Sequence, residues 1–255
     1  MSGARERSAA SPQRLDRERI LVAAVALIDE SGLHELSMRS VGRRLGVEAM
    51  ALYRYLPSRD SLLDGVVELV VDELYADPEV HLAPQDDWQD FVVRLAHGVR
   101  RTALRHPHVF PLIATRPPQA PWVRPPLRSL RWIECLLEGL LSRGFTEQQA
   151  VSAYQAFSSF LVGHLLLEVS ALGVDVGPVE QDEAAAVEPT EPVALASYPV
   201  LLRLAPLLAA DHFAAEFDAS LADLVRRIDP AGAGQAEAGR VGRAGAGATW
   251  SEFPL

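Results

Sequence analysis

Apolar residues recur along most of the chain at intervals of three and four, the spacing that places them on one face of an α-helix. No stretch alternates apolar and polar residues at a period of two, so we expect no β-sheet. The pattern therefore predicts an all-α fold. In chain order, the predicted helices span residues 15–31, 37–45, 48–55, 58–76, 88–106, 106–115, 127–143, 146–171, 197–210 and 212–228.

Two short amphipathic segments of the N-terminal region are separated by Gly46, and a glycine just past the last apolar residue commonly ends a helix. The second segment, 48–55, directs Leu52 and either Tyr55 or Leu56 inward. Its outer side carries small or aromatic side chains: Ala49, Met50, Ala51 and Tyr53. Two short helices that meet at a glycine turn, the second with short outer side chains, are typical of a helix-turn-helix that enters a DNA major groove.

The two ends of the chain lack helical periodicity, because the first is polar and arginine-bearing and the last is rich in glycine and alanine. We predict a disordered basic arm at 1–14, a three-helix DNA-binding domain at 15–63, a larger helical domain at 64–229 and a disordered tail at 230–255. Within the larger domain, the acidic residues 172–196 predict a solvated loop. The arm is either simply disordered or a basic arm that tracks phosphates or reaches the minor groove.

Charge is distributed unevenly along the chain. The net charge of the whole chain is −10, yet residues 1–63 hold 10 arginines against 8 acidic residues, while the remaining 192 residues hold 14 arginines against 26 acidic residues. The positive part of the chain is therefore the part that carries the helix-turn-helix. The acidic remainder would reduce non-specific binding to DNA.

The sequence favours a reducing compartment. Its one cysteine, Cys135, cannot form an internal disulfide. The longest apolar run near the N-terminus, residues 20–28, is too short to span a bilayer, and the pattern of a signal peptide is missing. We expect a cytoplasmic protein without a membrane partner.

The residues around the helix-turn-helix resemble the N-terminal DNA-binding domain of the tetracycline-repressor (TetR) family, because the run LYRYLPSRDSLL follows SMRS and LGV at the spacing of that family. The larger domain resembles the tetracycline-repressor branch through WQDF at 88–91, ATRP at 114–117, RGFTEQQAVSAYQAFSSFLVG at 143–163 and YPVLLRLAPL at 198–207. The similarity covers most of residues 15–228.

This resemblance implies an all-helical homodimer in the bacterial cytoplasm, which binds a palindromic operator in double-stranded DNA and is released by a small-molecule effector. In the family, the last long helices of each subunit form a four-helix dimer bundle, and here these helices are 146–171 and 212–228. We therefore expect a ligand-responsive transcriptional regulator, most simply a repressor. The alternative is an all-helical small-molecule binding protein or enzyme whose helix-turn-helix is only a packing unit. No pairing of a nucleophile with a base supports an enzyme.

The resemblance also assigns DNA contacts by position. Arg39 would reach a base edge or a phosphate, the recognition helix would face bases with its small side chains, and Tyr53 would hold a phosphate. Arginine suits guanine or phosphate, whereas alanine and methionine can only touch a thymine methyl group. The predicted DNA-binding residues are Arg39, Ala49, Met50, Ala51, Tyr53, Arg54, Tyr55, Ser58 and Arg59.

The effector site departs from that of the tetracycline repressor. The family's magnesium-chelate ligand uses a histidine and an asparagine, and these positions fall here on Leu112 and near Leu95. Both are apolar, so we expect no metal and no other cofactor. The expected pocket is apolar, with His164 as either a polar ligand contact or a core or dimer-interface residue. The predicted pocket residues are Leu95, Val99, Phe110, Leu112, Trp132, Phe157 and His164.

Two further clusters have ordinary structural interpretations. His106-Pro107-His108 is either half of a metal site or a turn with one packed and one exposed histidine, and the absence of a nearby cysteine or carboxylate cluster in the sequence favours the turn. Arg100 and Arg101 are expected on a solvated helix face.

Overall fold

A computed structural model of the chain describes residues 14–80, 87–115, 130–176 and 198–230, and these ranges contain helices and no strand. The predicted all-α fold is confirmed. The predicted arm up to residue 13, the acidic loop from residue 177 to 196 and the tail from residue 231 lie outside the described residues. The helices are α1 (Arg17–Ser31), α2 (Met38–Leu45), α3 (Ala49–Leu52), α4 (Arg59–Ala76), α5 (Trp88–Arg105), α6 (Phe110–Thr115), α7 (Leu130–Leu141), α8 (Glu147–Ala171), α9 (Pro199–Leu208) and α10 (Phe213–Ile228).

The first four helices, which we call the head, pack around one hydrophobic cluster, the head core. On α1, Ile20, Ala24 and Ile28 follow one another at intervals of four and are fully buried. They face Leu62 and Val66 of α4, which packs along α1. The head core therefore fixes α1 and α4 as the frame against which the two short helices rest.

The remaining helices, which we call the body, surround a second cluster, the body core, with α8 at its centre. α8 contacts α5, α6, α7 and α10. Its buried residues include Phe157, Leu161 and Leu165. Among the helices described, α8 alone is long and apolar enough to cross a membrane. Here its buried face forms the middle of the body core, which accounts for that apolar character.

Local signals set the ends of the helices that position the head. The Ser37 hydroxyl accepts a hydrogen bond from the Ser40 N–H at 3.0 Å, and the Ser37 N–H donates to the Ser40 hydroxyl at 2.8 Å. This capping box begins α2. α2 ends at Gly46, whose φ of 70° lies in the left-handed region that glycine adopts without strain.

Two predicted helices are shorter than expected. The sequence predicts a recognition helix over 48–55, but α3 covers Ala49–Leu52 and continues as hydrogen-bonded turns to Leu56. Pro57 follows, and a residue that precedes proline disfavours the helical conformation. The helix expected over 106–115 begins only at Phe110, after a turn that contains Pro107.

The residues just before and within α6 pack into both cores. Val109 and Leu112 are fully buried within the head core, whereas Phe110 lies in the body core. Leu74 of α4 in turn belongs to the body core. The two cores are therefore tied together by α6 and by the C-terminal half of α4. The boundary at 63/64 stays a prediction, and α4 runs through it without a break.

Candidate nucleic-acid interface

α2 and α3 cross in direct backbone contact. The Val47 N–H donates to the Gly42 carbonyl at 2.9 Å. A Cβ atom at Gly42 would lie 2.9 Å from the Val47 carbonyl oxygen and 3.2 Å from the Ala49 nitrogen. Backbone atoms at such distances cannot move aside cheaply, so the crossing requires glycine at this position.

Two leucines fix the orientation of α3. Leu52 and Leu56 are both buried in the head core. Of the two candidates for the second inward position, the structure selects Leu56, because Tyr55 is exposed. The opposite side of α3 must therefore face solvent.

That outer side presents the side chains that the sequence predicts. Met50 is 72% exposed and Tyr53 is 42% exposed, while Ala49 and Ala51 are half-buried at the edges of the same face. An exposed methionine can contact a thymine methyl group, and a tyrosine hydroxyl can donate to a phosphate. The exposed face of α3 thus suits a groove lined by bases and flanked by phosphates.

The arginines of the head divide into free and engaged groups. Arg39 and Arg54 are exposed, and neither has an ion-pair partner among the described residues. The same holds for Arg43, which lies one helical turn after Arg39 and which the sequence-based set of DNA contacts omits. The spacing of four between Arg39 and Arg43 could have revealed it, since such residues share one helix face.

Other polar groups of the head already have intramolecular partners. Arg44 donates two hydrogen bonds of 2.6 Å to the Glu30 carboxylate. This guanidinium holds the pKa of Glu30 below its usual value. The Arg59 Nε donates to the Leu36 carbonyl at 3.3 Å, and the Ser58 hydroxyl caps α4 by accepting from the Ser61 N–H. Of the predicted DNA-binding residues, Arg59 and Ser58 are therefore partly committed to the fold.

The body core brings together most of the predicted effector residues. Leu95, Phe110 and Phe157 are buried in it, and Val99 packs against it. Leu112 does not join them, because it is buried in the head core on the other side of α6. The side chain of Trp132 lies outside the described part of the chain.

His164 lies at the packing of α8 against α10, among aromatic rings. Its ring centroid is 5.3 Å from that of Phe217, 5.7 Å from that of Phe160 and 6.1 Å from that of Phe213. Its Nε2 atom is buried and has no hydrogen-bond partner among the described residues. His164 therefore packs among aromatic rings, and the choice between a ligand contact and a core or dimer-interface residue stays a prediction.

The expectation that Arg100 lies on a solvated face is wrong. The Arg100 guanidinium donates to the Glu168 carboxylate at 2.5 and 3.0 Å. The side chains are 20% and 7% exposed, respectively, and Arg100 also lies over the ring of Phe217 at 5.3 Å. The carboxylate raises the pKa of Arg100. This buried ion pair joins α5 to α8 and was not visible in the local pattern. Arg101 instead pairs with Asp77 at 2.6 Å.

Comparison with known protein families covers both halves of the chain. Residues 20–66 match the family described as bacterial regulatory proteins, tetR family, and residues 82–227 match the tetracyclin repressor-like C-terminal domain. The chain is 31% identical to the class A tetracycline repressor from transposon 1721 of Escherichia coli over 173 residues, which are 66% of this chain and 75% of that protein. It is 28% identical over 163 residues to an HTH-type transcriptional regulator of Saccharopolyspora erythraea, covering 64% of this chain and 65% of that regulator, just under two thirds of its length.

A solved structure agrees with the same assignment. A possible TetR family transcriptional regulator from Streptomyces coelicolor A3(2) superposes with a TM-score of 0.64 at 32% identity, over 84% of this chain and 98% of that one. The superposition extends over both the head and the body. Together with the two family matches, it shows that the chain belongs to the TetR family of bacterial transcriptional regulators.

Proposed function

We propose that the chain is a ligand-responsive repressor that binds a palindromic operator in double-stranded DNA as a homodimer. The observation that carries this proposal is the exposed face of α3 with Met50 and Tyr53, together with Arg39 and Arg43 of α2, for which the described part of the chain offers no ion-pair partner. In a two-fold dimer, two such faces would enter successive major grooves about 34 Å apart. Arg39, Arg43 and Arg54 would contact phosphates or guanines, and Met50 would contact a thymine methyl group.

The proposed dimer face lies on α8 and α10. Leu167 of α8 is 67% exposed, and Gly163 is exposed one turn before it. A Cβ atom at Gly163 would meet nothing within 4 Å, so the subunit itself does not require glycine there. Glycine inside a helix costs about 1 kcal/mol relative to alanine, and a close helix–helix contact with a second copy would explain its use. On α10, the exposed residues include Ala215, Ala219 and Ala222.

The proposed effector is a small and largely apolar molecule that enters the body core near Leu95, Val99, Phe110 and Phe157. Its binding would shift the head to an orientation that no longer fits the operator. Coupling of about 1–3 kcal/mol between the two sites would be enough for such regulation. The proposed compartment is the bacterial cytoplasm, where DNA is accessible to the head.

Operator binding is tested by comparing two arginines of α2. Substituting Arg39→Ala should weaken binding to the operator by about tenfold and reduce the slope of log affinity against log salt by about 1, because a phosphate or base contact is lost. Arg44→Ala is the matched control, since Arg44 is already occupied by Glu30 and should change affinity little. Fluorescence anisotropy with DNA from upstream of the protein's own gene, over a series of salt concentrations, measures both quantities.

Three outcomes contradict the proposal in different ways. If the wild-type protein shows no salt-dependent DNA binding, the alternative of an all-helical binding protein or enzyme gains support. If Arg39→Ala and Arg44→Ala bind as tightly as the wild type, the proposed docking face is wrong. If Arg44→Ala alone weakens binding, the division into free and engaged arginines is wrong.

The dimer face is tested by Leu167→Arg. Burying an arginine in a close apolar contact carries a large desolvation cost, so we expect the dissociation constant of the dimer to rise at least about tenfold. Val22→Arg is the control, because Val22 is 52% exposed on α1, outside the proposed interface. Sedimentation equilibrium or mass photometry gives the oligomeric state. A Leu167→Arg protein that remains as dimeric as Val22→Arg would place the interface elsewhere.

A further inference from the structure

One buried histidine connects the head and the body. His106 follows α5 directly and is 9% exposed. Its Nδ1 lies 2.7 Å from Oδ2 of Asp29 on α1, and its Nε2 lies 3.1 Å from Oε2 of Glu73 on α4. The ring therefore contacts two carboxylates that belong to two different helices of the head, while its own backbone belongs to the body.

The residues that follow His106 also connect the body to the head. Three residues later, Val109 is fully buried in the head core, and Leu112 follows it there. The His106 carbonyl accepts the N–H groups of Val109 and Phe110 at 3.0 and 3.1 Å. Any rotation of the head relative to the body must therefore move the histidine, the start of α6 or both.

Of the two protonation states of the ring, the imidazolium fits two carboxylate neighbours better than the neutral imidazole does. A neutral imidazole has one N–H donor and one acceptor nitrogen, so it could donate to one carboxylate while its other nitrogen met the lone pairs of the second. The imidazolium donates from both nitrogens. The described charges that face this point are Asp29 from α1, Glu73 from α4 and Arg105 from α5, whose Nη1 lies 3.8 Å from Glu73 Oε2. The second oxygen of Asp29 is buried and has no hydrogen-bond partner within the described ranges, so that carboxylate depends on the histidine.

We infer that His106 is a positioning residue for operator binding: as an imidazolium bridging Asp29 and Glu73, it holds the head in the DNA-binding orientation relative to the body. This inference rests on the proposed function. A head that is already oriented loses less freedom when it docks, and preorganisation of this kind raises affinity. Loss of the proton removes one of the two hydrogen bonds and lets the head and the body reorient.

The direction of the pH effect follows from the contacts. The hydrogen bond to Asp29 raises the pKa of His106 above its ordinary value, with a smaller contribution from Glu73, and burial opposes both. A raised pKa means that the folded, bridged form is stabilised at a pH below about 6.5, and that this stabilisation is lost as the pH rises through the raised pKa. Operator affinity should therefore fall with rising pH. The slope of this fall should correspond to the release of at most one proton per subunit.

The experiment compares pH profiles of operator affinity for the full-length wild type, His106→Gln and His108→Gln. His108 is a matched control, because it lies two residues away, is half-buried and has no ion-pair partner in the described part of the chain. The operator affinity of each protein is compared at about pH 6 and about pH 9. The decrease in affinity over this range should be about threefold or more larger for the wild type and for His108→Gln than for His106→Gln. At low pH, His106→Gln should bind more weakly than both.

Asp29→Asn provides a second variant that keeps the histidine, and it should flatten the profile in the same way. It keeps the inference testable if His106→Gln does not fold, as judged by circular dichroism. Parallel profiles for the wild type and either variant, or an affinity that rises with pH relative to His106→Gln, would overturn the inference. A wild type that binds no operator under any of these conditions would instead contradict the proposed function.

Discussion

Replacing Glu168 by alanine should lower the free energy of unfolding by about 3 kcal/mol or more, the largest stability effect that the structure predicts for a single polar side chain. Glu168 is the partner of Arg100, which lies beneath the surface between α5 and α8. Removing the carboxylate deprives the mostly buried guanidinium of its hydrogen-bonded partner and leaves only the longer-range attraction of Asp211 and Asp218. This loss costs more than the hydrogen bonds themselves. Urea unfolding, followed by circular dichroism at a fixed protein concentration, measures the change.

A matched exposed pair separates burial from charge. Arg17 donates to Glu68 at 2.9 Å between α1 and α4, and the side chains are about half exposed. Glu68→Ala should therefore change the free energy of unfolding by no more than about 1 kcal/mol. The double substitution Arg100→Met with Glu168→Leu should recover much of the stability, because it removes both charges from the interior. Equal losses for Glu168→Ala and Glu68→Ala would mean that the Arg100 pair is solvated and does not organise the body.

The elements of the fold that depend on neighbouring residues were accessible from the sequence. The start of α2 at the Ser37 cap, its end at Gly46 and the start of α8 after Thr146 all rest on hydrogen bonds within four residues. The outer face of α3 was predictable from helical periodicity, because an inward Leu52 leaves Met50 outside, whereas the choice between Tyr55 and Leu56 required the structure. Local patterns therefore predicted where these helices begin and end and which side of α3 faces outward.

Contacts between distant residues were not accessible in this way. Arg100 and Glu168 are 68 positions apart, and His106 and Asp29 are 77 positions apart. An arginine on a helix has the same local pattern whether it is solvated or paired with a residue of another helix. The separation of Leu112 from the other predicted pocket residues has a related cause, since the two faces of the short helix α6 point into different cores.

The division of the head arginines shows the same limit within the candidate site. Composition identifies residues 1–63 as net positive, yet it cannot distinguish Arg39 from Arg44, because the partner of Arg44 lies on the preceding helix. Three-dimensional contacts are needed to decide which guanidinium groups remain available for DNA. The structure adds Arg43 to the available group and commits part of Arg59 to the Leu36 carbonyl.

The substitution Gly42→Val should abolish specific operator binding, with an affinity loss of at least about a hundredfold. A side chain at this position would collide with the Val47 carbonyl and the Ala49 nitrogen, so α2 and α3 would have to separate. Overpacking against rigid groups costs about 1–3 kcal/mol in stability. The effect on DNA binding should be larger, because Met50 and Tyr53 would leave the positions that the groove requires. Electrophoretic mobility shift with the operator measures it, and circular dichroism checks that the body remains folded.

Gly46→Asn is the control that isolates the collision from the loss of a glycine. Gly46 has φ 70°, a Cβ atom there would meet nothing within 4 Å, and asparagine tolerates the left-handed region better than other residues do. This variant should therefore retain operator binding within about tenfold. α3 and the turn after it contact the rest of the subunit through Leu52, Leu56 and the close approach at Gly42. The orientation of α3 therefore depends on the distance between the backbones of α2 and α3 at Gly42. Operator affinity that survived Gly42→Val would mean that the outer face of α3 does not read DNA, whatever the arginines around it bind.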